Sequence, residues 1–278
     1  MRRKGYCSSF SLIEMVVILA VLGILFSLSF DSLTRLREGT SKAKAIAHLR
    51  TIAMAYRQYM DDKGHPIRWK ELDEVRPGAG GYDVTLIAAV LAKEGYLGAV
   101  DAWSWDFDYR VKRYLSSGKP MPLKICNITR NGSGNITSVK VDTNFWGQSG
   151  NGFPVSVCAM VAGDGMTNDD FLANPGEVPL AFSRGLRSKT APGTWIDSKI
   201  NFDLGGIFGE KGGFIVFFDG HVEWFENLGT GALRKYGTGA RTNKIYEAIL
   251  SGGITGSSIP DHAYFLSWRG GAPECDYF

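Results

Sequence analysis

One apolar stretch near the start of the chain constrains its fold more than any other feature. Residues 10–30 read FSLIEMVVILAVLGILFSLSF and contain one charged residue, Glu14. At about 1.5 Å of rise per residue, a helix of this stretch would be roughly 31 Å long, which matches the hydrocarbon core of a bilayer. The stretch therefore predicts one membrane-spanning helix.

Glu14 is out of place in such a helix. A charged side chain costs about 2.5–3.5 kcal/mol at the centre of a bilayer and less near the interface. Two arrangements would make the carboxylate tolerable. Either a cation neutralises Glu14, or the carboxylate reaches the membrane interface without a partner.

Basic residues precede the apolar stretch at Arg2, Arg3 and Lys4. They favour an N-terminus on the cytoplasmic side of the membrane. The segment after the stretch, SFDSLTRL, has no small-x-small cleavage site, so an uncleaved anchor is favoured over an ordinary signal peptide. Four basic residues follow the span on the proposed outer side and weaken the charge argument: Arg35, Arg37, Lys42 and Lys44.

The residues around Ser9 resemble a known processing signal. Ser9 followed by FSLIE, after a basic leader, is similar to the class III signal of type IV pilins and type II secretion pseudopilins. The resemblance implies that residues 1–9 are a leader, which prepilin peptidase removes by cutting between Ser9 and Phe10 before it methylates the new amine. It also implies a bacterial inner-membrane protein with one span, an inner N-terminus and a periplasmic head, which enters a periplasmic or extracellular filament.

The resemblance implies a role for Glu14 as well. The freed amine of Phe10 in one subunit would meet the Glu14 carboxylate of its neighbour, and an ion pair in a low dielectric would set the register between subunits. The implied partners are prepilin peptidase, copies of this chain or other pilins and pseudopilins, the pilus or secretion assembly platform, and membrane lipid. Nucleic acid is not expected as a partner, because the formal charge is only +3 and the basic residues are scattered.

The pattern becomes amphipathic after Asp31. Apolar positions recur at three- and four-residue spacing: Ile46, Leu49, Ala53, Tyr56 and Met60. This pattern predicts one continuous helix, with residues 10–30 in the membrane and residues 31–62 as a stem. Gly64 and Pro66 are the expected stop signals.

Residues 63–278 form the expected globular head. The expected fold class is α+β, with a long N-terminal helix packed on a mainly antiparallel β-sheet, as in type IV pilins. The pattern predicts a helix at 84–94, a strand at 107–112, a hairpin of LKICNIT and NITSVKV, and a buried strand PVSVCAMVA. Residues 171–208 are interpreted as surface loops with weak strand signals.

The segment GGFIVFFDGHVEWF predicts a further hairpin. A two-residue turn of Asp219 and Gly220 would pair Phe217 with Val222, and with the same register Ile215 with Trp224. The segment resembles the closing hairpin of a large-headed branch of pilin-like proteins. In that branch a His stands before the Asp-Gly, at the position that Gly209 occupies here.

Two groups of polar residues are candidate metal sites. Asp219, His221 and Glu223 are one group, although turn chemistry is the favoured interpretation of these residues. The loop AGDGMTNDD is the other, because its hard oxygen ligands suit calcium, although the spacing is not that of an EF-hand. Its candidate ligands are Asp164, Asn168, Asp169 and Asp170. No cofactor is expected apart from this possible calcium ion.

Three classes of function remain open from the sequence. The favoured class is a structural subunit, a pilin or pseudopilin without catalysis. The second is a minor tip pseudopilin or adhesin-like module, for which tryptophans could supply a binding surface: Trp103, Trp105, Trp146, Trp195, Trp224 and Trp268. The third is a membrane-anchored enzyme, but the four histidines are dispersed and no nucleophile–base spacing stands out.

The cysteines of the head are Cys126, Cys158 and Cys275. Outside the cytoplasm they would allow one disulfide and one leftover thiol. The sequence does not determine which two of these cysteines would form the disulfide.

Overall fold

The computed structural model describes residues 11–78, 81–147, 152–187, 194–195, 206–229, 231–249 and 263–268. The helices in this part of the chain are α1 (Leu12–Lys63), α2 (Trp69–Val75), α3 (Val84–Lys93), α4 (Tyr109–Ser116) and α5 (Asp169–Leu172). The strands are β1 (Cys126–Arg130), β2 (Ile136–Val141), β3 (Val157–Val161), β4 (Pro179–Ser183), β5 (Leu186–Arg187), β6 (Thr194–Trp195), β7 (Gly213–Phe217), β8 (Val222–Phe225), β9 (Leu233–Arg234), β10 (Arg241–Thr242) and β11 (Tyr264–Leu266). Residues up to Lys44 form one compact unit, and residues from Ala45 form a second, the head unit.

The predicted long helix is confirmed as α1, a single helix of 52 residues. It ends at Lys63, directly before Gly64, which is the predicted stop signal. This glycine has a φ of +71°, and its amide donates to the Met60 carbonyl at 2.9 Å. Glycine adopts that left-handed conformation at little cost. The predicted stripe is also confirmed, with four buried positions and one half-buried position: Leu49, Ala53, Tyr56 and Met60, and Ile46.

A five-stranded antiparallel sheet forms the centre of the head unit, with the strand order β11-β3-β4-β7-β8. Every residue of β3, β4 and β7 is buried. Tyr56 on α1 donates its hydroxyl hydrogen to the Met160 carbonyl of β3 at 3.3 Å. Helix α3 is buried all along Val84–Leu91, as expected for a helix covered on every side. The long helix and the antiparallel sheet together make the fold α+β.

Three further predictions of local structure are confirmed. The helix at 84–94 is α3, which begins after Asp83 because the Asp83 carboxylate accepts a hydrogen bond from the Thr85 amide at 2.8 Å. The hairpin around RNGSG is the antiparallel pair β1–β2. The buried strand in PVSVCAMVA is β3.

The strand predicted at 107–112 is wrong, because the chain forms helix α4 from Tyr109. Asp108 is the N-cap, and its carboxylate accepts a hydrogen bond from the backbone amide of Arg110 at 2.9 Å. A side-chain cap satisfies one of the four amides that the first turn of a helix leaves without a partner. That local bond favours a helix over the strand that the aromatic residues indicated.

The interpretation of residues 171–208 as loops is also wrong in part. This region contains β4, which is fully buried and pairs with both β3 and β7. Pro179 is the first residue of β4, a position where a missing N–H is tolerated inside a sheet. The apolar run of β4 is short, so its sequence signal is weak.

The β7–β8 hairpin is present, but its predicted register is wrong by one residue. Val216, rather than Phe217, pairs with Val222. The loop has three residues, 218–220, because the Phe217 amide donates to the His221 carbonyl at 3.0 Å, and the glycine that ends the loop has a φ of +87°. A three-residue hairpin loop with a left-handed glycine is a common alternative to the two-residue turn. As a result, Val216 and Phe214, rather than Phe217 and Ile215, share a face with Val222 and Trp224.

Candidate functional site

The N-terminal part of α1 carries an apolar surface that no other described residue covers. Its large apolar side chains are between 43% and 83% exposed. They point to all sides of the helix: Leu12, Ile13, Met15, Val16, Val17, Ile18, Leu19, Val21, Leu22, Ile24, Leu25 and Phe26. Within the described part of the chain, α1 is the one helix long and apolar enough to cross a membrane. A surface of this kind needs lipid or protein around it.

Glu14 lies in the first turn of α1 and closes its N-terminus. Glu14 Oε2 accepts a hydrogen bond from the backbone amide of Ser11 at 2.9 Å. This bond is one half of a capping box, in which an acid at the third helical position satisfies the amide of the capping residue. Among the described residues, Glu14 Oε1 has no hydrogen-bond or ion-pair partner. One oxygen is therefore used locally, and the other has no partner among the described residues.

The predicted processing residues Ser9 and Phe10 lie outside the described residues. Cleavage between them stays a prediction.

The four candidate calcium ligands do not converge on one point, and three of them form separate local hydrogen bonds. Asp164 Oδ1 accepts a hydrogen bond from the Lys70 amide at 3.2 Å. Asp170 Oδ2 accepts hydrogen bonds from the amide and the hydroxyl of Thr167, at 2.7 and 3.0 Å. The Asn168 side-chain amide donates to the Met60 carbonyl at 2.8 Å, and Asp169 is an exposed residue at the start of α5. Within the described ranges, no three His, Cys, Asp or Glu side chains are placed to hold a metal ion.

The residues of the Asp-Gly hairpin support the turn interpretation. Asp219 Oδ1 accepts a hydrogen bond from the His221 amide at 3.0 Å and contacts His221 Nδ1 at 2.6 Å. Gly220 supplies the left-handed φ that ends the loop. Trp224 packs on Phe214, with ring centroids 4.8 Å apart. These contacts hold the end of the sheet together.

The six tryptophans considered for a binding surface mostly belong to the core. Four of them are no more than 7% exposed, and two are half-buried: Trp103, Trp105, Trp146 and Trp195, and Trp224 and Trp268. An aromatic surface for carbohydrate or polymer would need exposed rings. The structure therefore gives the tip-binding interpretation no support from these residues.

Among the described residues, neither Cys126 nor Cys158 takes part in a disulfide. They do not pair with each other, and Cys275 lies outside the described residues. The Cys126 thiol donates to the Ala89 carbonyl at 3.2 Å. Burial, together with the nearby charge of Asp142, raises the pKa of Cys126 to about 11, so this thiol is protonated at neutral pH.

A buried polar cluster around Asp108 was not predicted from the sequence. The Asp108 carboxylate accepts hydrogen bonds from the Ser156 hydroxyl at 2.7 Å, from Arg184 Nε at 3.0 Å and from Arg184 Nη2. Burial alone would raise the pKa of Asp108, but the charge and hydrogen bonds of Arg184, with the charge of Arg110, lower it. The cluster joins α4 to the strands of the sheet. The one local signal was an Asp at a helix N-cap.

Comparison with protein-family models, with curated proteins and with solved structures gives no match. A functional assignment has to rest on the residues of this chain. The features that carry most information are the exposed apolar part of α1 and the carboxylate of Glu14.

Proposed function

We propose that this chain is a structural subunit, a pilin or pseudopilin, which is anchored in the inner membrane and polymerises through the N-terminal part of α1. The observation that carries the proposal is the Glu14 carboxylate in the first turn of a helix whose apolar side chains are exposed on every side. The proposed role is structural and not catalytic, and it applies to a type IV pilus or a type II secretion-like filament.

The apolar surface supports the proposal because, in a filament subunit, it would be buried first by lipid and later by other subunits. Lipid covers it while the chain is a membrane protein. When a subunit leaves the membrane, the same side chains must be buried against other subunits, since exposed apolar area of this extent is unfavourable in water. An all-round apolar surface suits a helix that packs in the middle of a helical bundle.

Glu14 supports a repeating assembly over a solitary anchor. In a solitary anchor the carboxylate would gain only the local hydrogen bond from Ser11 and would still incur a desolvation cost. A neighbouring subunit with a free N-terminal amine at Phe10 would neutralise the charge, and the Oε1 atom that lacks a partner among the described residues is the available acceptor. Each copy would then supply one cation and one anion, which is the pattern of a head-to-tail, open assembly.

N-terminal sequencing of the chain purified from its own cells tests the processing step. The expected result is a mature chain that starts at Phe10 with a methylated amine. A mature chain that keeps Met1 would overturn the proposal, because the amine that pairs with Glu14 would not exist.

Substitution of Glu14 tests the assembly step, and two variants separate its local role from its charge. Glu14→Gln keeps an oxygen that can accept the Ser11 hydrogen bond but removes the charge, whereas Glu14→Ala removes both. We expect both variants to be lost from the sheared filament fraction while they remain in the membrane. Glu38→Gln is the matched control, because Glu38 is an acid on the same helix that lies outside the apolar run and forms an ion pair with Lys42 at 3.7 Å. Normal assembly of Glu14→Gln would contradict the ion pair.

A further inference from the structure

A basic and apolar surface surrounds α4 and the loop that follows it. We call residues 109–124 the α4 surface. This segment, YRVKRYLSSGKPMPLK, contains five basic residues and no acid. Arg110 is buried and holds α4 to the head, because its Nη2 donates to the Val155 carbonyl at 3.1 Å. The other four basic residues are exposed: Lys112, Arg113, Lys119 and Lys124.

Apolar side chains stand among these charges. Leu123 is 100% exposed, and Leu115 and Met121 are 39% and 37% exposed. Lys119 and Lys124, with Met121 and Leu123, line an open groove of about 680 Å³. The acid that lines the same groove is Asp142, which is buried and accepts a hydrogen bond from the Asn144 amide at 2.8 Å. The exposed charge of the surface is therefore positive.

Within the head unit, the α4 surface is connected to the first turns of α1 that belong to that unit. The head unit begins at Ala45, and His48, one turn further along α1, stacks on Trp105 with ring centroids 6.1 Å apart. Asp108, three residues after Trp105, caps α4. At the other end of this part of α1, the Met60 carbonyl binds the calcium-candidate loop instead. The segment that precedes Ala45 in the chain is basic as well, with Arg35, Arg37, Lys42 and Lys44.

This combination of charges and apolar groups is complementary to an anionic membrane surface. Lysines beside exposed apolar side chains suit the membrane interface, where apolar groups enter the acyl boundary and the ammonium groups stay among phosphates. A protein-binding surface would typically be depleted of lysine at its centre. The same chain carries a helix able to cross a membrane, so lipid is at high effective concentration and weak contacts suffice.

We propose that the α4 surface docks on an anionic phospholipid surface. Leu115, Met121 and Leu123 enter the head-group region, and Lys112, Lys119 and Lys124 bind the lipid phosphates. The inference uses the membrane-spanning part of α1 but does not depend on filament assembly. Its test is therefore independent of the test of the proposed function.

An environment-sensitive label at position 123 tests the proposal in the full chain. The background carries Cys7→Ser, Cys126→Ser and Cys275→Ser, and it keeps the buried Cys158. A bimane group is placed on Leu123→Cys, and the chain is reconstituted in vesicles of phosphatidylcholine alone or of phosphatidylcholine with phosphatidylglycerol. We expect a blue shift of emission, and quenching by nitroxide-bearing lipids, only in the vesicles with phosphatidylglycerol.

The matched control is the same label on Ile136→Cys, because Ile136 is an equally apolar exposed residue at the far end of the β1–β2 hairpin. It should respond to neither lipid composition. Replacing the lysines with glutamine, one at a time at Lys112, Lys119 and Lys124, should weaken the quenching by roughly five-fold per charge, and added salt should weaken it further. The Glu14→Gln variant should keep the full response.

Three other outcomes of this experiment would overturn the proposal. A response that is equal in both lipid compositions would mean that charge has no part in it. A response at both Leu123→Cys and Ile136→Cys would mean non-specific adsorption. A blue shift that also occurs in detergent and grows with protein concentration would assign the α4 surface to a protein partner, such as a second copy of the chain.

Discussion

Arg184 and Asp108 form a fully buried ion pair in which two guanidinium nitrogens donate to the two carboxylate oxygens. Arg184 follows β4 and Asp108 caps α4, so the pair connects two elements that are 76 residues apart in the chain. The pair makes α4 part of the head rather than a surface appendage. It also explains why α4 keeps its place although most of its residues are exposed.

Removing the charge of Asp108 should destabilise the head strongly. Asp108→Asn leaves the Arg184 guanidinium buried without its counter-charge, and such a loss costs about 3–5 kcal/mol. Chemical denaturation of the purified chain measures the free energy of unfolding. The matched control is Asp101→Asn, because Asp101 is exposed and its neutralisation should change that energy by less than about 0.5 kcal/mol. Equal effects of the two variants would contradict the buried pair.

The stability of the head should fall in acid because of the same carboxylate. The pKa of Asp108 is lower in the folded chain than its ordinary value of about 3.9. Below pH 3.9 the unfolded chain therefore takes up the proton first, and the stabilisation is lost as the pH falls further through the folded pKa. Denaturation series between about pH 5 and pH 2 should show this loss in the native chain and a flatter profile in Asp108→Asn.

The hydroxyl of Tyr56 should contribute to the stability of the fold through two hydrogen bonds. It donates to the Met160 carbonyl at 3.3 Å and accepts a hydrogen bond from the Ile67 amide at 3.2 Å. Tyr56→Phe leaves that buried amide without its acceptor, which should cost about 1–3 kcal/mol. Tyr59→Phe is the control on the same helix, since the Tyr59 hydroxyl forms no hydrogen bond with another described residue, and it should have little effect on thermal unfolding.

A methyl group at Gly213 should be poorly tolerated. An added Cβ would overlap the ring of Trp195 and the hydroxyl of Ser183, and overpacking of this kind costs about 1–3 kcal/mol. We expect Gly213→Ala to lower the melting temperature. Gly165→Ala is the control because no atom lies within 4 Å of its added Cβ, and it should leave the melting temperature close to that of the native chain.

The Cys126 thiol should react slowly with alkylating reagents in the folded chain. Its pKa is raised to about 11, and only the thiolate is a strong nucleophile. The rate of alkylation should therefore keep rising as the pH increases from 7 towards 11. Mass spectrometry of tryptic peptides measures the rate, and rapid modification at neutral pH in the folded chain would contradict the raised pKa.

Much of the fold could be read from local patterns. The apolar run of residues 10–30, the stripe through Leu49 and Tyr56, and the stop at Gly64 depend on the helical repeat and on the backbone freedom of glycine, and both are properties of a short segment. The β1–β2 hairpin and α3 were predictable for the same reason. The acid at Glu14 was recognisable as unusual from the sequence, but its hydrogen bond to Ser11 required the backbone geometry of the first turn.

The tertiary structure determined the features that depend on contacts between residues far apart in the sequence. Whether the segment after Asp108 became a strand or a helix depended on a cap and on Arg184, which lies far along the chain, and local propensity is weaker than such contacts. The register of the β7–β8 hairpin followed from a loop one residue longer than the shortest turn, and β4 was missed because a short apolar run reveals its place only beside β3 and β7. The sequence alone determined which part of the helix needs lipid or protein around it, because hydrophobicity is additive along the chain. Packing and buried charge are not additive, and only the folded chain shows them.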